Sequence, residues 1–149
     1  MPNKLAQLAV GRGGITVADA VKQANTALDG LKDTSISIID EKLLEIDRLF
    51  GPGNPERAGL SLDILYEKAS RIIDAGGGLP DSGLDECARA VCDLVVRSRA
   101  NRICDWDAID VHIATLKVLR VQGQSLSATQ RWTVLKGLSD VTAKRAGEG

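Results

Sequence analysis

Aromatic residues make up only 3% of this 149-residue chain: Phe50, Tyr66, Trp106 and Trp132. So few rings argue against a base-stacking platform or an aromatic cage. Histidine occurs once, at His112, and a single imidazole builds no multi-histidine metal site. The three cysteines, Cys87, Cys92 and Cys104, show no CxxC spacing, so free thiols in a reducing compartment are expected, with no zinc and no disulfide. Charge of one sign is also missing. With 19 basic against 20 acidic residues the net is −1, too even for a general nucleic-acid binder. No uncharged apolar run approaches the roughly 20 residues a bilayer span needs, and no secretory signal is visible. A cytoplasmic, non-membrane protein of one domain is expected, with no cofactor.

What the sequence does contain is helical periodicity. Residues 1–15 read as a flexible arm: Lys4 and Arg12 without acids, and the run Gly11-Arg12-Gly13-Gly14. That run lacks the preceding strand and the following Gly-Lys-Ser/Thr of a phosphate loop. Leu5, Leu8, Ala9 and Val10 could dock on a partner or on the core. Thr16 then has N-cap chemistry, with Asp19 at the capping-box position.

An apolar stripe follows through Val17, Val21, Ala24, Leu28 and Leu31, and on through Ile38, Ile39, Leu43, Ile46 and Phe50. Gly30 and the cluster Thr34, Ser35, Ser37 are weak helix formers at its centre. The segment is therefore one long helix or two helices broken near Gly30. Unbroken it reaches roughly 50 Å, longer than a bundle of this size needs, which favours a kink or a dimer seam.

Gly51-Pro52-Gly53-Asn54-Pro55 stops it. Further helices are expected over residues 61–75, from a cap at Asp81 or Ser82 to about 100, from Asp105 to about 121, and from Ser127, with Gln130 completing its capping box. Arg97, Arg99 and Arg102 suit the negative C-terminal end of the segment that closes near residue 100. The expectation is an all-α bundle of five or six helices, a single domain over residues 16–145, with a frayed tail at 146–149.

Charge is uneven along the chain. Residues 17–50 hold four basic and seven acidic groups, whereas residues 117–149 hold six basic and two acidic. Such ends pair within a monomer, across a dimer, or with an outside partner. Together with the long helix this leads to the expectation of a homodimer.

The candidates for chemistry are few. Asp105, Asp107 and Asp110 cluster at one helix start, where capping and the helix dipole account for them; a calcium loop would add a Gly and a terminal Glu. Trp106 and Trp132 open two helices and read as core edges, with a partner-binding patch as the alternative. His112 sits beside the stripe of Ile109, Ile113 and Leu116, as a structural or half-buried histidine would. The sharper alternative is a phosphoacceptor. Histidine phosphotransfer modules place Leu two and Lys three residues after the histidine, then Gly. Here Leu116 and Lys117 are each displaced by two and the Gly is missing. Lys117 and Arg120 are the candidate cations, but Lys117 turns about 140° away from His112 on a straight helix. Arg120 lies near the same face more than about 10 Å along the axis.

Gly13-Gly14-Ile15-Thr16-Val17-Ala18-Asp19-Ala20, Leu65-Tyr66, Cys92-Asp93-Leu94 and the run from Asp105 to His112 resemble the CheE-type proteins, small proteins associated with chemotaxis gene clusters of alphaproteobacteria. The resemblance covers about residues 5–119. It implies an all-helical fold, a cytoplasmic home and a place in signal transduction, and it carries over no active residue. The expected function is a non-enzymatic adaptor or regulator in chemotaxis or two-component signalling, binding other signalling proteins. The alternatives are a histidine phosphotransfer protein using His112, or a structural dimerisation module.

Overall fold

A computed structural model describes the backbone of residues 16–148 and the side chains up to residue 142. The expected arm at residues 1–15 and the final Gly149 lie outside the described residues. Five α-helices and three short 3-10 turns account for the described fold, and no strand occurs among those residues.

The first helix, α1, spans Val17–Phe50 without a break. Thr16 caps it: its Oγ1 accepts from the Asp19 N–H at 3.1 Å, and its own N–H donates back to Asp19 Oδ2. The weak centre is absorbed locally. The Thr34 hydroxyl donates to the Gly30 carbonyl at 3.0 Å, so the residues that threatened a break bond along the helix instead. Of the two expected forms, the unbroken one is found.

The glycine-proline stop after Phe50 leads through a 3-10 turn, Arg57–Gly59, into α2, Leu62–Ala75, capped by the Ser61 hydroxyl. A second turn, Gly76–Gly78, lies against α1. A Cβ on Gly78 would stand 2.6 Å from the Ser35 Cβ, so glycine is needed for this approach. Next come α3, Leu84–Asn101, α4, Trp106–Gln122, and α5, Ala128–Glu148. The Asp105 cap and the Ser127–Gln130 capping box form as expected, with Ser127 Oγ accepting from the Gln130 N–H at 3.1 Å.

The start of α3 differs from expectation. Its N-cap is Gly83, at φ +81°, and neither Asp81 nor Ser82 occupies that position. The chain turns too sharply here for an L-residue cap, and Ser82 assists from one residue earlier by accepting from the Leu84 N–H at 3.2 Å. At the other end of the chain, the backbone of residues 146–148 continues α5.

Packing follows the apolar stripes. The core holds Ile39, Ile46 and Phe50 of α1 against Leu65, Ala69 and Ile72 of α2. It continues through Leu84, Cys87, Val91 and Val95 of α3 to Ile109, Ile113, Leu116 and Leu119 of α4. Each such aliphatic side chain contributes about 1.5–3 kcal/mol by leaving water. Helix α3 is central, touching α2, α4 and α5. Among its described side chains, helix α5 adds only Leu138 to the buried set.

Candidate interaction surface

The body of the bundle ends part-way along α1. Every residue from 16 to 34 is exposed, and burial begins at Ser35 and Ile36, where the Gly76–Gly78 turn meets the helix. The exposed stretch is amphipathic, with a polar side and an apolar one. Val21, Leu28 and Leu31 are 54%, 61% and 65% exposed. Val21 lies 18 residues before Ile39, and Leu28 lies 18 before Ile46, so each pair stands about five turns apart on one line of the helix. One apolar stripe therefore runs the length of α1. Its second half is the core, and no other described element covers its first half.

Ion pairs mark the same boundary. Asp47 takes Lys117 at 2.8 Å, and Asp40 takes the Arg120 guanidinium through two bonds, the longer 3.1 Å. Glu45 accepts from Lys68 and from Lys42, and the bond from Lys68 is the main reason its carboxyl titrates below the ordinary range. This intramolecular pairing meets three of the seven acids of α1 with basic groups of α2 and α4. It also engages both cations suggested for a phosphohistidine.

His112 itself is fully buried, at the structural end of the structural or half-buried reading. Its Nδ1 lies 2.7 Å from the Ala108 carbonyl, which can only accept, so Nδ1 carries the proton. Nε2 has no hydrogen-bond partner. Burial lowers the pKa of the ring below 6.5, against the raising effect of the Ala108 bond. A phosphoacceptor ring must reach solvent to meet a receiver domain, and this one does not. Nearby, the Cys87 thiol lies 3.7 Å from the His112 carbonyl, and burial pushes its pKa to about 12. The histidine and this thiol are held uncharged in the core.

The aspartate cluster separates into different roles. Asp105 caps α4, Asp107 stands in its first turn, and Asp110 binds Arg57. Arg57 is the joint of this corner. It stacks over Trp106 at 4.5 Å from the ring centroid and donates to the Phe50 carbonyl at 3.2 Å, tying the end of α1 to α4. No group of three or more His, Cys, Asp or Glu side chains in a metal-holding arrangement occurs among the described residues. No described helix is long and apolar enough to cross a membrane.

The two tryptophans part company. Trp106 is half-buried at the core edge as expected, but Trp132 is 61% exposed. It lies about 120° around α5 from Leu138, the residue that faces the core, so the helix turns its ring outward. It lines an open cleft of about 660 Å³ between the start of α3 and α5, with Asp81, Asp85 and Glu86 on one wall and Arg131 and Lys136 on the other.

No protein-family model, curated protein or solved structure matches this chain. The uncovered arm was visible in the sequence as periodicity too long for the bundle. The Trp132 cleft had no such signal, because it depends on how α5 is rotated against α3.

Proposed function

We propose that this protein is a non-enzymatic adaptor or regulator of bacterial chemotaxis or two-component signalling, acting through protein–protein contact. One observation supports the interaction role: five turns of α1 present an apolar face that no other described element covers. Apolar faces of this kind at i, i+3, i+4 and i+7 spacing are the usual currency of helix-to-protein recognition. The signalling context comes from the CheE-type likeness. A phosphotransfer role gains no support from a histidine buried in the core. A structural dimerisation role draws on the same face and is the second reading.

The test is direct binding to purified signalling proteins from the same organism: receptor signalling domains, histidine kinases and response regulators. Saturable binding to one of them, measured by titration calorimetry, is expected. Absence of binding to all three classes overturns the signalling assignment.

A further inference from the structure

We infer that the uncovered half of α1 pairs with the same segment of a second copy, in antiparallel orientation. This deepens the interaction reading above by naming what lies on the arm. The spacing Val17, Val21, Ala24, Leu28, Leu31 alternates four and three, as does the continuation to Ser35 and Ile38. That alternation is the coiled-coil heptad, in which each apolar residue seats between residues of a facing helix. A helix of this length gains most of its stability from packing rather than from propensity, and this one includes Gly30, Thr26 and Thr34.

Charge allows a like partner. The segment of residues 16–34 holds three acidic and two basic side chains. Asp19, Lys22, Asp29 and Asp33 all stand more than about 100° around the helix from the stripe, and only Lys32 flanks it. A second copy therefore brings no repulsion to the seam.

Orientation follows from the body. Because Val21 and Leu28 share a line with the buried Ile39 and Ile46, each body sits on the seam side of its own helix. A parallel partner would run into that body. An antiparallel one places each body beyond the tip of the other arm. In an antiparallel register centred on residue 26, Leu28 stands level with Ala24 and Leu31 with Val21, large against small. Val17 then meets Ser35 of the second copy, beside the Gly76–Gly78 turn, so the seam continues the packing that already covers the rest of α1.

Sedimentation equilibrium of the full chain tests this. At about 100 μM, above the micromolar dissociation constant a small interface gives, a mass twice 15.8 kDa is expected, falling to the monomer on dilution. Leu28→Asp should weaken association at least about 100-fold, since it buries an unpaired charge in an apolar seam. Lys22→Asp, on the opposite side, should leave the dimer intact. The urea midpoint of the body should be unchanged in both. A wild-type mass of 15.8 kDa at that concentration overturns the inference, whether residues 1–15 or a signalling protein then covers the face. So does a dimer that Leu28→Asp leaves undisturbed, or one that about 1 M salt alone dissociates, because an apolar seam is not screened. A monomer that binds a signalling protein would remove the pairing and leave the adaptor role standing. A dimer that binds none would do the reverse.

Discussion

The two halves of α1 carry the same kind of apolar stripe and meet opposite environments. From Ser35 to Phe50 the stripe lies against α2, α4 and the Gly76–Gly78 turn, and Asp40, Glu45 and Asp47 take cations from α2 or α4. From Val17 to Thr34 the same line of the helix faces outward. Amphipathic periodicity states which face of a helix avoids water. It does not state what covers that face, and here the answer changes within one unbroken element. The body half is held by its own chain, whereas no other described element covers the arm half.

Substituting on one line of the helix sets the halves against each other most strongly. Ile46→Ala empties a site with no exposure and should cost about 2–5 kcal/mol by urea unfolding. Leu28→Ala, one five-turn interval earlier, should change the stability of the diluted monomer by less than about 0.5 kcal/mol. Equal losses would mean that the arm is packed within the monomer, and the contrast between the halves would fail.

Much of the fold was legible because its signals are local. The Thr16, Ser61, Asp105 and Ser127 caps and the glycine-proline stops lie within a few residues of the bonds they make. The start of α3 was misread because side-chain chemistry favoured Asp81 or Ser82, while the backbone there takes positive φ and selects Gly83. The candidate surface was half legible. The excess length of α1 was plain, but which half projects depends on where α2, α4 and the glycine turn meet it. Arg57 over Trp106, and Trp132 turned outward, are products of tertiary geometry with no local pattern.

A glycine pair sharpens the comparison at smaller scale. Both Gly30 and Gly78 have open φ choices for alanine, so only the neighbours differ. A Cβ at Gly78 meets Ser35 Cβ at 2.6 Å and the Lys32 carbonyl at 3.2 Å, so Gly78→Ala should destabilise the body by about 1–3 kcal/mol. A Cβ at Gly30 meets nothing within 4 Å in mid-helix, so Gly30→Ala should stabilise the arm by about 1 kcal/mol. Far-ultraviolet circular dichroism on heating reads both: the main transition moves down in the first, and helical signal persists to higher temperature in the second. The same sign in both would show that the arm is not the open helix described.

The last difference is in titration, since the single histidine belongs to the body. His112 is buried with Nε2 unpartnered, and burial lowers its pKa below the 6.5 of an unperturbed ring. The unfolded chain therefore takes up a proton at a pH where the folded chain does not. Stability is full above about pH 6.5 and is lost as pH falls toward the folded-state value, with a slope of at most about 1.4 kcal/mol per pH unit. The Glu45 carboxyl, lowered by Lys68, begins to add its own loss only nearer its ordinary value of 4.5. Urea midpoints taken at about pH 7.5 and about pH 5.5 should thus fall for the wild type and stay level for His112→Leu, which keeps the volume and removes the orphan nitrogen. The arm holds no histidine, so its pairing should survive at the lower pH for as long as the body stays folded. A wild type indifferent to pH across that interval would mean that the ring finds a proton acceptor or solvent in the folded state, and the phosphoacceptor reading would regain its main requirement.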